Sequence, residues 1–122
     1  MPPLRLDALP AVLGRIGYGK ALGSDGWAPD ELASLSDVRL QQLLCFFQVC
    51  ETVGRWPQAL RTSLVSLIPK PGAEHESQLR PIGILPYVYR VWMALRAQDV
   101  RGWVAGLHGG RPQGASDCVW LR

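Results

Sequence analysis

Two cations frame the tract richest in structure-breaking residues. Lys70 stands between Pro69 and Pro71, Arg80 directly precedes Pro81, and between them run Gly72-Ala73-Glu74-His75-Glu76-Ser77-Gln78. If the chain reverses within that tract, the separation collapses and both cations reach one spot. Converging cations can grip a polyphosphate, the arginine forking onto two oxygens and the lysine acting as a point charge. The neighbouring prolines stiffen the backbone that presents them. The plainer reading is a pair of solvated basic residues at a hairpin end, and residue chemistry alone leaves both readings open.

Other chemistries find less support. The carboxylates are scattered, with only Asp30-Glu31 adjacent, and there is no Asp-Asp pair. Cys45, Cys50 and Cys118 contain no Cys-x-x-Cys spacing, and His75 and His108 lie far from them in sequence, so no zinc site is expected. Cys45 and Cys50 stand five apart in a helical pattern, which turns their side chains away from one another. Buried, reduced thiols are expected rather than a disulfide.

The cations must be held by the elements around them. Thr62-Ser63-Leu64-Val65-Ser66-Leu67-Ile68-Pro69 reads as a strand stopped by proline, and Arg80-Pro81-Ile82-Gly83-Ile84-Leu85 as a second. Together they predict an antiparallel hairpin over about residues 62–85, with 70–78 as a long, mobile tip. Upstream, Asp7 to Arg15 reads as a short helix with Leu9, Val12 and Leu13 on one face, ending in the glycines 14, 17 and 19. Lys20 to Trp27 is a loop by its turn chemistry. Pro29 opens a helix whose first turn holds Asp30 and Glu31, and Ser36-Asp37 can restart it. From there Leu40, Leu43, Leu44, Phe46, Phe47, Cys50 and Val53 form a wide apolar face, Gln41, Gln42, Gln48 and Glu51 a wet one, and Gly54 the C-cap. Pro86 starts another helix with Val88, Val91, Trp92 and Leu95 inward and Arg90, Gln98 and Arg101 outward. A last helix is expected to start at Ser116 or Asp117. The fold class is therefore α+β: mainly helical, with one antiparallel β-hairpin packed on helices.

A chain of 122 residues, 48% hydrophobic and 19% charged, has material for one modest core, so a single domain over 1–122 is expected. Uncharged stretches such as Gln41 to Cys50 fall short of the ~20 apolar residues of a membrane helix, so no membrane partner is expected. Arg5 and Asp7 interrupt the apolar N-terminus, which does not read as a secretory signal. The net charge of +3 is uneven: residues 1–54 carry −2 and residues 55–122 carry +5. A basic second half suits a polyanion, yet such a surplus is also ordinary on soluble surfaces.

Five pieces in order carry a resemblance. They are Lys20-Ala21-x-Gly23-x-Asp25-Gly26-Trp27-x-Pro29-x-Glu31-Leu32; a helix with Phe47 followed by Gly54-Arg55-Trp56-Pro57; Leu67-Ile68-Pro69-Lys70-Pro71-Gly72; Leu79-Arg80-Pro81-Ile82-Gly83-Ile84-Leu85-Pro86; and Tyr89-Arg90-Val91. Over roughly residues 5 to 120 the chain resembles the N-terminal fingers part of a reverse transcriptase, an RNA-directed DNA polymerase, of the non-LTR retrotransposon and group II intron type. The resemblance implies that Lys70 and Arg80 contact the phosphates of an incoming dNTP, and makes Arg90 and Arg111 candidate template or nucleic-acid contacts. It implies that Asp25 is a turn or cap residue, not a metal ligand. RNA template, DNA primer and dNTP are the implied partners, and an intracellular setting, nucleus or cytoplasm, is implied with them.

The departures matter equally. The family's palm aspartates lie in a Phe-x-x-Asp-like strand and an aromatic-x-Asp-Asp turn, and neither pattern occurs here. Gly109 to Asp117 resembles the glycine-rich segment before the first catalytic strand. The resemblance therefore implies a fingers fragment without its palm, with no catalytic residue and no cofactor of its own. Mg2+ is expected only in a complete polymerase. Such a piece should leave some of Trp92, Trp103 and Trp120 as an exposed patch. The five tryptophans could instead be stacking platforms for bases, and core packing is the reading preferred for most. A non-catalytic nucleic-acid-binding module and a purely helical interaction domain remain as alternatives.

Overall fold

The computed structural model describes residues 2–16 and 22–108 of the chain. A 3-10 turn at Leu6–Ala8 leads into α1 (Leu9–Arg15), and α2 (Pro29–Ala33) and α3 (Asp37–Val53) follow. The strands β1 (Leu64–Pro69) and β2 (Leu79–Ile84) then form a two-stranded antiparallel ribbon, and α4 (Tyr87–His108) completes the described part. The class is α+β, as expected.

Local chemistry explains the boundaries. Pro10 falls in the first turn of α1 and Pro29 begins α2, positions where a missing N–H breaks no helical bond. Glu31 reaches back so that Oε2 accepts the Ala28 N–H at 2.8 Å, fixing the start of α2. Ser36 is extended and separates α2 from α3. Gly54 takes φ +71° and its N–H donates to the Cys50 carbonyl at 2.9 Å, the left-handed cap that ends α3.

The core is a helical cluster: Leu9, Val12 and Leu13 from α1, Leu32 from α2, Leu40, Leu44 and Phe47 from α3, and Tyr87, Val88, Val91 and Leu95 from α4. Beside it Trp56 lies edge-on to Trp92, with ring centroids 4.9 Å apart, and to Tyr89 at 5.1 Å. Trp56 and Trp92 are thus spent on packing, whereas Trp27 is 39% and Trp103 67% exposed, so core packing holds for two of the four described tryptophans. Trp120 and the helix expected at Ser116 or Asp117 lie outside the described residues, as do Gly17 and Gly19.

Several expectations need correction. Val53 is exposed and Glu51 is half-buried. At 100° per residue Glu51 stands about 40° from the direction of Phe47, inside the buried stripe, while Val53 stands about 120° away. Cys50 is buried and reduced, but Cys45 is exposed, and Cys118 lies outside the described residues. Arg90 is half-buried, its guanidinium 5.4 Å from the centre of the Tyr87 ring. The hairpin does not lie flat on the helices: every β1 residue is exposed, as are Arg80 to Gly83 of β2. It is held to the helical body at its base, where Ser24 Oγ donates to the Thr62 carbonyl at 2.6 Å and Gly23 packs on the Leu85-Pro86 backbone.

Candidate phosphate-binding site

The strands form where β-branched and leucine residues are dense, and the ladder pairs Leu64 with Ile84, Ser66 with Ile82 and Ile68 with Arg80. The Lys70 N–H continues that ladder by donating to the Gln78 carbonyl at 3.2 Å. Because hydrogen-bonded pairs recur every second residue, 68:80, 66:82 and 64:84 are the hydrogen-bonded pairs and Pro69:Leu79, Leu67:Pro81 and Val65:Gly83 are not. Both prolines thus sit where the backbone nitrogen points away from the ribbon, so neither removes a ladder bond.

The same period, carried one pair beyond the strands by the Lys70 to Gln78 bond, places Lys70 and Arg80 on one face of the ribbon as diagonal neighbours on the order of 7–8 Å apart. Both are exposed, and among the described residues neither forms an ion pair. Two long side chains at that spacing can close on one phosphate or on two adjacent ones. Glu74 and Glu76 in the connecting loop are exposed and offset part of the local positive potential.

The tip is built rather than slack. Gly72, at φ +76°, allows a turn in which the Ala73 N–H donates to the Lys70 carbonyl at 3.0 Å. A 3-10 turn at Glu76–Gln78 follows, and the Gln78 side-chain oxygen accepts the N–H groups of Glu74 at 2.6 Å and His75 at 3.2 Å. These bonds satisfy backbone donors that a long polar loop would otherwise leave to water. Gln78 therefore holds the loop that separates the two cations.

The other expected site residues divide. Asp25 is a cap, though not of its own turn: its Oδ1 accepts the Tyr87 N–H and its Oδ2 the Val88 N–H, each at 3.0 Å. The carboxylate thereby satisfies the first two amides of α4 and sits at the positive end of its dipole. Arg111 lies outside the described residues. Among the described residues, no three His, Cys, Asp or Glu side chains gather where they could hold a metal ion. Among them, no helix is long and apolar enough to cross a membrane.

Sequence reasoning missed the most elaborate polar cluster. Arg96 is 7% exposed. Its Nε and Nη2 donate to Oε1 and Oε2 of Glu51 at 2.6 and 2.5 Å, and its Nη1 donates to Asp99 Oδ2 and to the Pro2 carbonyl, both at 2.7 Å. Trp92 Nε1 also donates to Glu51 Oε1 at 2.7 Å. The Arg96 guanidinium, aided by Trp92, holds the Glu51 carboxyl below the usual glutamate range against the opposing effect of burial. The two acids in turn raise Arg96. Burial pushes the neighbouring Cys50 thiol up, with a smaller push from Glu51. This cluster ties α3, α4 and the N-terminal segment together, and each of the three guanidinium nitrogens has at least one acceptor. The signal was available in the angular position of Glu51 on α3.

No known protein-family model matches this chain, and no curated protein matches it either.

Proposed function

We propose that this chain is the fingers region of a reverse transcriptase of the non-LTR retrotransposon or group II intron type, in which Lys70 and Arg80 grip the phosphates of an incoming dNTP. The observation that carries this reading is the shared ribbon face of the two cations, set by the Ile68 to Arg80 pairing. Arginine supplies a planar fork for two phosphate oxygens, and lysine a mobile point charge that follows the growing charge on the leaving phosphates. In a complete polymerase, palm carboxylates would hold the Mg2+ ions that activate the primer hydroxyl and stabilise the leaving group. The palm aspartate patterns do not occur in residues 1–122, so this chain alone supports binding and not synthesis.

The test is calorimetric titration with a dNTP, with circular dichroism as the control for folding. Lys70→Ala and Arg80→Ala should each weaken binding about tenfold, the worth of one charged hydrogen bond, and the double variant should abolish it. Equal triphosphate affinity in the unaltered chain and a folded double variant would refute the clamp. Primer extension should give no product, and DNA synthesis by the pure chain would overturn the non-catalytic assignment.

A second reading, a nucleic-acid-binding module without catalysis, draws on the exposure of both ribbon faces and the +5 charge of residues 55–122. It predicts saturable binding of labelled RNA whose affinity falls steeply between two salt concentrations. A helical interaction domain would instead tolerate both substitutions in every binding assay.

A further inference from the structure

The outer edge of β1 has the composition that natural edge strands avoid. From Thr62 to Pro69 there is no charge. Leu64, Val65, Leu67 and Ile68 are all exposed, on both faces of the ribbon. Edge strands are normally blunted by lysine, proline or a covering element, because unpaired N–H and C=O groups template another strand.

The ladder register says which backbone groups are offered. Val65 and Leu67 occupy non-hydrogen-bonded sites, so both their N–H and C=O groups point away from β2. On β2 the corresponding outward residues are Leu79, Pro81 and Gly83, and the middle one has no N–H to offer. The charged Arg80 adjoins it. On β1 the only outward proline is Pro69, at the end of the row. Among the described residues one edge is open and the other is blocked at its centre.

We propose that β1 is a self-pairing surface, whose occupant is the β1 strand of a second copy of this chain in antiparallel register about Ser66. In that register Val65 lies opposite Leu67 of the second copy and Leu67 opposite its Val65. The two pairs exchange four N–H···O bonds. Leu64 meets Ile68 on one face, Val65 meets Leu67 on the other, and Ser66 meets Ser66 at the axis. The missing Pro69 donor falls at the ladder's ends, where it interrupts nothing. No like charges are opposed, because β1 carries none. The product is a closed four-stranded sheet, since each remaining edge is a β2 with Pro81 at its middle. This inference is independent of the phosphate reading.

The test is sedimentation equilibrium of the 122-residue chain over the micromolar range, with circular dichroism on every variant. The unaltered chain should approach twice its 13.4 kDa mass as concentration rises. Leu67→Pro removes an outward N–H and no hairpin bond, and Val65→Lys sets a cation against Leu67 of the second copy. Both should sediment at 13.4 kDa. Gly83→Pro, the matching change on the other edge, should still dimerise. A chain that is monomeric throughout, a dimer that survives both β1 substitutions, loss of the dimer in a folded Gly83→Pro, or growth beyond two copies would each overturn the proposal. If Leu67→Pro fails to fold, Val65→Lys decides.

Discussion

Replacing Asp25 by alanine should loosen the joint between the loop before α2 and the start of α4. The carboxylate accepts two amides, those of Tyr87 and Val88, each at 3.0 Å. Both residues are almost wholly buried, so water does not readily replace the lost acceptor. Loss of a capping acceptor costs about 0.5–2 kcal/mol, and loss of the anion at the helix N-terminus about 0.3–1 kcal/mol more. With two amides released together, a loss of about 2–3 kcal/mol is expected for Asp25→Ala. Asp25→Asn retains one acceptor but turns an amide N–H toward the second donor and drops the charge, so about 1–2 kcal/mol is expected. Urea unfolding followed by tryptophan fluorescence measures both. Hydrogen exchange at the Tyr87 and Val88 amides locates the effect, and both should exchange faster in either variant. An alanine variant within about 0.5 kcal/mol of the original, with unchanged exchange at those two amides, would refute the cap.

Four further outcomes rest on other parts of the structure. Glu51→Ala leaves the buried Arg96 with Asp99 as its remaining carboxylate, so a loss of about 2–4 kcal/mol is expected in thermal or urea unfolding. Because folding lowers the Glu51 pKa, its contribution is full above the ordinary glutamate range and fades as pH falls through the folded value. Stability measured against pH below about 4.5 should therefore drop less steeply in Glu51→Gln. Gly23→Ala would put a Cβ 2.5 Å from the Leu85 carbonyl oxygen and 2.7 Å from Pro86 Cα, backbone that cannot swing aside, and should cost at least about 1–3 kcal/mol. A limiting amount of a thiol reagent, with sites mapped by mass spectrometry, should modify exposed Cys45 well before Cys50, whose thiol is buried and raised in pKa. Equal rates at the two would contradict the helix orientation.

What was legible in the sequence is what neighbours decide. Pro29, Ser36 and Gly54 mark helix ends through their own backbone preferences, and the hairpin follows from two apolar runs bounded by Pro69 and Pro86. Long-range partnerships were not legible to the same degree. Asp25 reads as a turn or cap residue, but nothing within a few positions of it says that its amides lie 62 and 63 residues downstream. Glu51 was assigned to the wet face by its side-chain type, although its angle on α3 placed it beside Phe47. A charge inside an apolar stripe implies a buried counter-charge, and Arg96 answers it from 45 residues away. Arg90, by contrast, was placed in water by type and is half-buried against Tyr87.

The hairpin shows the complementary failure. Alternating or continuous apolar residues ordinarily announce a face that packs on something, and the hairpin was expected to pack on the apolar faces of the helices. Among the described residues the ribbon is anchored at its base, through Ser24 and Gly23, while Leu64 to Ile68 are exposed. An apolar strand that the described residues leave uncovered is costly in water, at about 25 cal/mol for each Å² of apolar surface left exposed. Pairing with a further strand would remove that cost, and the placement of Pro81 and Pro69 restricts where such pairing can begin. The two prolines that keep the ladder intact also determine which edge can take another strand. On the self-pairing proposal, Pro81→Val restores an outward N–H at the middle of β2 and removes no hairpin bond, so sedimentation of that variant should show growth beyond two copies, and a variant that stops at two would refute the blocking role of Pro81.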